Sequence, residues 1–336
     1  MRITLKELAR LVGGSLVGDE AFVIEGAAPV ESAAEKDIAF VRKDTLRKLG
    51  ACSAGALLTP ERVEGVRNQI VVEDPQRAFI EVLKRIEAER RARPEGVHTS
   101  AWIDPEARLE DGVAIGPGAV VGARASVGRG TVIHPNATIG PDCRIGEDCE
   151  VYSGAVIYHG VVLGDRVIVH GNATIGGDGF GFLDTAKGNL KVPQVGGVRI
   201  GSDVEIGCNT TIDRGALGDT VVEDNVKIDN HCHIAHNCRI GANSVLVGYA
   251  RLGGSTTVGK HCILAEDSAV TDHVALGDNC VVTATARVSK SWPSGSILGG
   301  APAMPFDKAK RVMMAQRRLP RLIRQLAEIR EKLGMD

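Results

Sequence analysis

The stretch I-D-N-H-C-H-I-A-H-N-C-R-I-G, residues 228–241, sets Ile228, Ile234 and Ile240 six residues apart and places Asp229, Asn230, His231, His233, His236 and Asn237 between them. The aliphatic step reads as scaffold, and three of the chain's nine histidines fall among the polar residues between. Toward the N-terminus the step runs back to Val222 and slips by four residues. It resumes at Ile212, Ile206 and Ile200, breaks, and then continues without error from Ile175 back to Ile103. Toward the C-terminus it holds through Leu246, Leu252, Val258 and Leu264 to Val288.

A six-residue period sustained this long is the mark of a repeat architecture. Each hexad supplies a short flat strand and a turn, and three hexads close a triangular coil. Coils then stack at the inter-strand spacing of about 4.8 Å. The aliphatic residue points inward, and a small residue two positions earlier joins it, as at Ala119, Ala125, Thr131, Ala137, Ala155, Ala173, Ser244, Ala250 and Thr256. Gly often follows the aliphatic residue, as at Gly140, Gly146, Gly241 and Gly277, and suits a corner needing positive φ. The pattern predicts a mainly β protein, a left-handed parallel β-helix over residues 99–302. An α/β domain precedes it over 1–98, and a helical extension follows it over 303–336. A solenoid buries its core only by stacking, so many repeats are needed, and insertions mark one working face.

Composition agrees with thin strands: 41 Gly but only 6 Phe, 3 Tyr and 2 Trp in 336 residues. A net charge of -2 argues against a protein that coats nucleic acid. No run of 18 apolar residues occurs, and the start M-R-I-T-L-K-E-L-A-R lacks an apolar signal core, so the expectation is a cytoplasmic protein without a membrane span. Of eight cysteines, Cys143, Cys149, Cys232, Cys238, Cys262 and Cys280 hold the small inward position. They read as reduced core residues rather than metal ligands or disulfides.

Before residue 98 the period is absent. Thr4-Leu5-Lys6-Glu7 reads as a capping box opening a helix to about Val12, stopped by Gly13. Short apolar runs at 21–24, 37–41, 54–58 and 69–72 read as strands, a helix is expected over 75–91, and the stretch 87–105 reads as a linker. The break between Ile175 and Ile200 holds Phe180 and Phe182, and reads either as a loop thrown over a neighbouring cleft or as an inert hairpin. After Ala303, Ala315, Leu319, Leu322, Leu326, Ile329 and Leu333 form a heptad-like seam, with Pro320 expected to open a second helix. Nine Lys and Arg against four acids in this segment read as a solvated face or as the dock of an acidic partner.

Three phrases together, D-G-F-G-F at 178–182, T-I-D-R-G-A-L at 211–217 and I-D-N-x-x-x-I-A-H-N at 228–237, resemble those of the UDP-3-O-(3-hydroxyacyl)glucosamine N-acyltransferases of lipid A synthesis. The resemblance covers essentially the whole chain. It implies a homotrimer with active sites in clefts between prisms and a 3-hydroxyacyl donor on acyl carrier protein. The acceptor would be the 2-amino group of a UDP-linked, 3-O-acylated glucosamine. No cofactor of the protein's own is implied, since phosphopantetheine arrives on the carrier.

Attack of an amine on a thioester calls for a base near neutral pH, and His suits it. The resemblance assigns that role to His236, an assisting role to His273, and substrate positioning to Asp229 and Asn230. Phe180 and Phe182 are further substrate-contact candidates, and the Gly254 N–H is a candidate oxyanion donor. Lys310, Arg311, Arg317 and Arg318 are the expected carrier-docking residues. For the uracil ring, which the family clasps between a Phe and a Tyr with an Asn nearby, Phe40 matches the Phe. Leu46 stands in place of the Tyr and Lys43 in place of the Asn.

Two other readings share the prism: an O-acyltransferase on UDP-N-acetylglucosamine, and a zinc-dependent hydratase. His231, His233 and His261 invite zinc, but His233 stands at a different offset in its hexad from the other two and the three do not project as one facial set, so no metal site is expected. His134 and His170, at the offset where Gly usually stands, are expected as exposed corners.

Overall fold

In this computed structural model the described residues are 1–44, 46, 52–90, 93–300 and 306–334. The start of the helical extension at Ala303 and the helix end at Arg91 lie outside them. The chain divides into two compact units, Met1–Arg93 and Pro94–Asp336.

In the first unit, α1 (Leu5–Val12) opens on the expected capping box. Glu7 N–H donates to Thr4 Oγ1 at 3.3 Å, and Thr4 N–H donates back to the Glu7 carboxylate at 2.9 Å. Gly13 ends it with φ of 64°. Strands Gly26–Ala27, Asp37–Phe40, Ala56–Thr59 and Gln69–Val71 pair in parallel, and Ser15–Val17 adds to Gln69–Val71 antiparallel. Leu5, Leu8, Ile24, Ile38, Leu58 and Ile70 make the core, with Val82 and Ile86 of α2 (Pro75–Arg90).

The second unit is a left-handed parallel β-helix whose strands, among the described residues, form three sheets of ten, ten and nine. A coil is 18 residues, as Ala114 pairs with Val132 and Val120 with Thr138. Two insertions lengthen it: Thr174 pairs with Thr211, and Thr211 pairs with His233. Each strand is two residues at most positions, and its second residue is the inward aliphatic. The small inward positions are filled as read, with Ala119, Thr131, Ala155, Ser244 and Thr256 all at 0 % exposure. All six inward cysteines are buried. No helix among the described residues is long and apolar enough to cross a membrane.

Four expectations change. The glycines after the aliphatic residue are not the positive-φ corners. Those corners come two residues later and are mostly Asn, Asp, Arg or His, such as Asn136, Asp142, Asn172 and His231. The glycine is needed for close approach: a Cβ on Gly140 would lie 2.7 Å from His159 N, and one on Gly241 2.6 Å from Gly259 C of the next coil. The linker is also shorter than 87–105, because Gly96 O accepts from Ile115 N–H at 2.7 Å and Trp102–Ile103 is already a strand.

Third, Pro320 does not open a second helix. It lies inside α3 (Phe306–Lys332), where strong helix formers on both sides carry the helix past the lost N–H. Fourth, His134 and His170 are not exposed corners. The rings of His134, Tyr152 and His170, at one offset in successive coils, stack in one column with centroids 4.6 and 5.2 Å apart. Glu150 Oε1 lies 2.7 Å from His134 Nε2, and Glu205 Oε1 2.9 Å from His170 Nε2, which satisfies the outer edges.

Candidate active site

His236 follows the strand His233–Ile234, two residues past inward Ile234, so its side chain leaves the prism at a corner. The same offset one coil later is Gly254, whose missing side chain makes the space the imidazole occupies. A Cβ there would lie 2.7 Å from both His236 Cε1 and Nε2. On the other side Gly179 closes in, since a Cβ on it would lie 2.6 Å from His236 Cβ. The ring is thus held between two glycines.

Its protonation follows from its neighbour. Asn237 Oδ1 accepts the Ala216 N–H at 3.0 Å, which fixes that atom as oxygen, and the same oxygen lies 3.1 Å from His236 Nδ1. Nδ1 must therefore carry the proton. In the neutral ring this leaves the lone pair on Nε2, over Gly254, which is the tautomer a general base needs. Among the described residues no acceptor takes the Gly254 N–H, whereas equivalent corner N–H groups on Cys208 and Lys260 donate to Asn230 Oδ1 and Asp278 Oδ1. His273, at a corner with φ of 57°, donates its N–H to Gly254 O at 2.9 Å. It stands two coils from His236, about 10 Å along the stack.

The excursion over 176–197 is what brings Gly179 there. It is a hairpin, with Phe182–Thr185 antiparallel to Gly188–Lys191, and the strand Thr174–Asp178 runs on past its usual end to meet Thr211–Arg214. Arg214, 2 % exposed, locks the root of the hairpin. Its Nε donates to Gly176 O at 2.7 Å and Nη2 to His159 O at 3.0 Å, while Nη1 stands 2.6 Å from His159 Nε2. His159 Nε2 accepts there. Phe180 and Phe182 are 84 % and 47 % exposed, with rings 5.0 Å apart, and Leu183 and Leu190 lie opposite each other on the same hairpin, also exposed.

Asp229 and Asn230 do not join this site within the chain. They occupy the corner after Lys227–Ile228, one prism face before His236, and line a separate pocket of about 530 Å³ with His170, Glu205 and Lys227. Part of their capacity holds the coils together. Asp229 Oδ2 accepts from Gly248 N–H at 3.0 Å, and Asn230 Oδ1 accepts from Cys208 N–H at 2.7 Å. In the first unit Phe40 is half-buried with its ring 5.0 Å from Phe79, Leu46 packs beside Ala39 and Val41, and Lys43 is exposed. His231 and His261 sit at positive-φ corners and His233 lies in a strand. Among the described residues no three His, Cys, Asp or Glu side chains gather as a metal site.

A family profile described as UDP-3-O-(3-hydroxymyristoyl) glucosamine N-acyltransferase, LpxD, matches residues 21–85, and bacterial transferase hexapeptide repeats match four stretches between 106 and 254. The UDP-3-O-acylglucosamine N-acyltransferase of Burkholderia multivorans is 48 % identical over 340 residues, covering 96 % of this chain and 94 % of that protein. The chain belongs to the UDP-3-O-acylglucosamine N-acyltransferase family. Relatives of the same name from Methylobacterium sp. (strain 4-46) and Syntrophotalea carbinolica are 46 % and 41 % identical, covering 94 % and 98 % of this chain and 93 % and 96 % of theirs. A solved Arabidopsis UDP-N-acetylglucosamine acyltransferase superposes with a TM-score of 0.56 at 26 % identity, covering 61 % of this chain and 71 % of that one.

In this member of the UDP-3-O-acylglucosamine N-acyltransferase family, several residues round His236 escape a reading by period or motif role. Asn237 and Asp213 lie inside the motif phrases and could have been singled out there. Gln194 lies in the excursion, where no pattern marks it.

Proposed function

We propose that this protein is an N-acyltransferase of lipid A synthesis. It moves a 3-hydroxyacyl chain from the thioester of acyl carrier protein to the 2-amino group of UDP-3-O-(3-hydroxyacyl)-glucosamine. The observation that carries the mechanism is the His236 ring, with Nδ1 held on Asn237 and Nε2 free over Gly254. The amine nitrogen attacks the thioester carbonyl as Nε2 takes its proton. The Gly254 N–H, with no acceptor of its own among the described residues, would meet the oxyanion. The C–S bond then breaks, and the carrier thiolate leaves. No resident cofactor or metal enters this chemistry.

The exposed apolar hairpin with Phe180 and Phe182 roots beside the base and gives an acyl chain a wall. Asp229 and Asn230, one prism face away, meet the same substrate when a second copy lays that face against the first, which is the reading as a homotrimer. The seam of Leu319, Leu322, Leu326 and Ile329 on α3, with Leu333 just beyond it, is exposed in the single chain and gives such an assembly a second contact. Lys310, Arg311, Arg317 and Arg318 fall within about 120° of the helix circumference. They form one basic face for the acidic carrier protein. Phe40 would stack on the uracil, with Leu46 and Lys43 in place of the second ring and the amide. A cytoplasmic location suits a carrier-bound donor and the reduced cysteines.

The test is product analysis. Purified protein given hydroxyacyl carrier protein should acylate the UDP-linked amino sugar to an amide and leave UDP-N-acetylglucosamine unchanged. Ester formation on the latter would favour the O-acyltransferase reading.

A further inference from the structure

Two hydrogen-bond acceptors near His236 have no donor among the described residues. Gln194 is 8 % exposed, and its Nε2 donates to Val192 O at 3.0 Å, while its buried Oε1 meets no partner. That oxygen borders the same glycine as the base: a Cβ on Gly179 would lie 2.9 Å from Gln194 Oε1 and 2.6 Å from His236 Cβ. The second acceptor is Asp213, one coil before His236 on the strand Thr211–Arg214, with a side chain 16 % exposed. His233 Nε2 lies 3.9 Å from its carboxylate, beyond hydrogen-bond reach, and His233 Nδ1 is already engaged with Thr211 Oγ1 at 2.8 Å.

A buried acceptor without a donor costs free energy, and natural chains keep few of them. Gln194 Oε1 is such an atom, and with the partly buried Asp213 carboxylate beside the same base it points to a ligand that supplies donors. Asp213 as a carboxylate and Gln194 Oε1 can only accept. A hydroxyl brings one donor, an amine two and an ammonium three.

We propose that Asp213 and Gln194 hold the acceptor's amino group by its N–H donors against His236, and so select an amine over a hydroxyl. This rests on the transfer reading above. In the step, the amino group, bound as ammonium, gives one proton to His236 Nε2 as its nitrogen attacks, while its other two N–H bonds stay on Asp213 and Gln194. The nitrogen bonds to the thioester carbon and the C–S bond breaks. The second surplus proton leaves with the thiolate as thiol, and the amide keeps one. Burial pushes the Asp213 carboxyl above its ordinary range, His233 and His236 pull it back, and Asp178 pushes it further, so a cation placed there relieves a strained group.

The test compares wild type with Asp213→Asn and Gln194→Ala. It reads kcat/KM for the UDP-linked 2-amino sugar and its 2-hydroxy analogue, KM for the acyl donor, and calorimetric binding of the amino sugar alone. The proposal expects each variant to lose more than about tenfold in kcat/KM for the amine. Donor KM should stay within about twofold, and the preference for amine over hydroxyl should shrink. If Asp213→Asn does not fold, Asp213→Ser and Gln194→Ala carry the comparison. Amine kcat/KM within about threefold of wild type in both variants, or equal loss for both acceptors, overturns it. Wild-type binding of the amino sugar that depends on Asp213, without amide formation, would overturn the transfer reading and leave this inference standing.

Discussion

Gly254 gives His236 its place: any side chain there would put a Cβ 2.7 Å from Cε1 and Nε2 of the ring. Gly254→Ala should therefore push the imidazole off Asn237 and lower kcat by more than about 10², the scale of a general base. The alanine faces out of the prism, so the melting temperature should change little. A variant with wild-type kcat would mean that the ring need not lie over residue 254.

Asn237 sets which nitrogen of His236 is basic. Asn237→Gly, which keeps the positive φ of 60°, removes the acceptor and should cost about tenfold or more in kcat. Asn237→Asp keeps both contacts and adds a charge that favours the imidazolium, so the acid limb of the rate profile should move to higher pH. A pH–rate series on the two variants checks both. Identical profiles would show that Nδ1 is not held by residue 237.

Asp213 ties function to stability. Its carboxyl is raised, so the folded state holds that proton more tightly than the unfolded chain. Stability from this group is then present at low pH and falls as pH rises above the ordinary value of 3.8. Asp213→Asn should accordingly be more stable than wild type at pH 7, with the gap closing toward pH 3, while turnover falls. Denaturant melts at the two pH values measure it, and an Asn variant less stable at pH 7 than wild type contradicts it.

The thiols give a test of the core. Burial pushes Cys143, Cys149, Cys232 and Cys238 up to about 11, which leaves almost no thiolate at neutral pH. In native protein an aromatic disulfide reagent should titrate at most Cys52 and Cys208, and all eight after unfolding. Rapid native reaction of the inward six would mean open coils.

The basic face of α3 is tested by Lys310, Arg311, Arg317 and Arg318 changed together to Glu. Donor KM should rise and its salt dependence flatten, while acceptor KM holds. An unchanged donor KM at low ionic strength would place the carrier elsewhere.

The period made the prism legible, because a core that admits only one aliphatic and one small side chain per hexad writes both into the sequence. The cysteines and the capping box at Thr4 were readable for similarly local reasons. His134 and His170 were misread because ring stacking between coils joins residues 18 apart, which a hexad offset does not show. Asp229 and His236 stand seven residues apart in sequence, yet the prism turns between them and puts them on different corners. Gly179 and Gln194 meet beside His236 at the end of a hairpin whose root is bonded to buried Arg214, a tertiary arrangement with no trace in either local pattern.

The most direct measurement is the rate of amide formation by purified wild type and His236→Ala, with hydroxyacyl carrier protein as donor and UDP-3-O-acylglucosamine as acceptor. The account predicts turnover by wild type and a fall of about 10² to 10⁴ in kcat for the variant, with an unchanged melting curve. A His236→Ala enzyme that keeps near-wild-type kcat would contradict it.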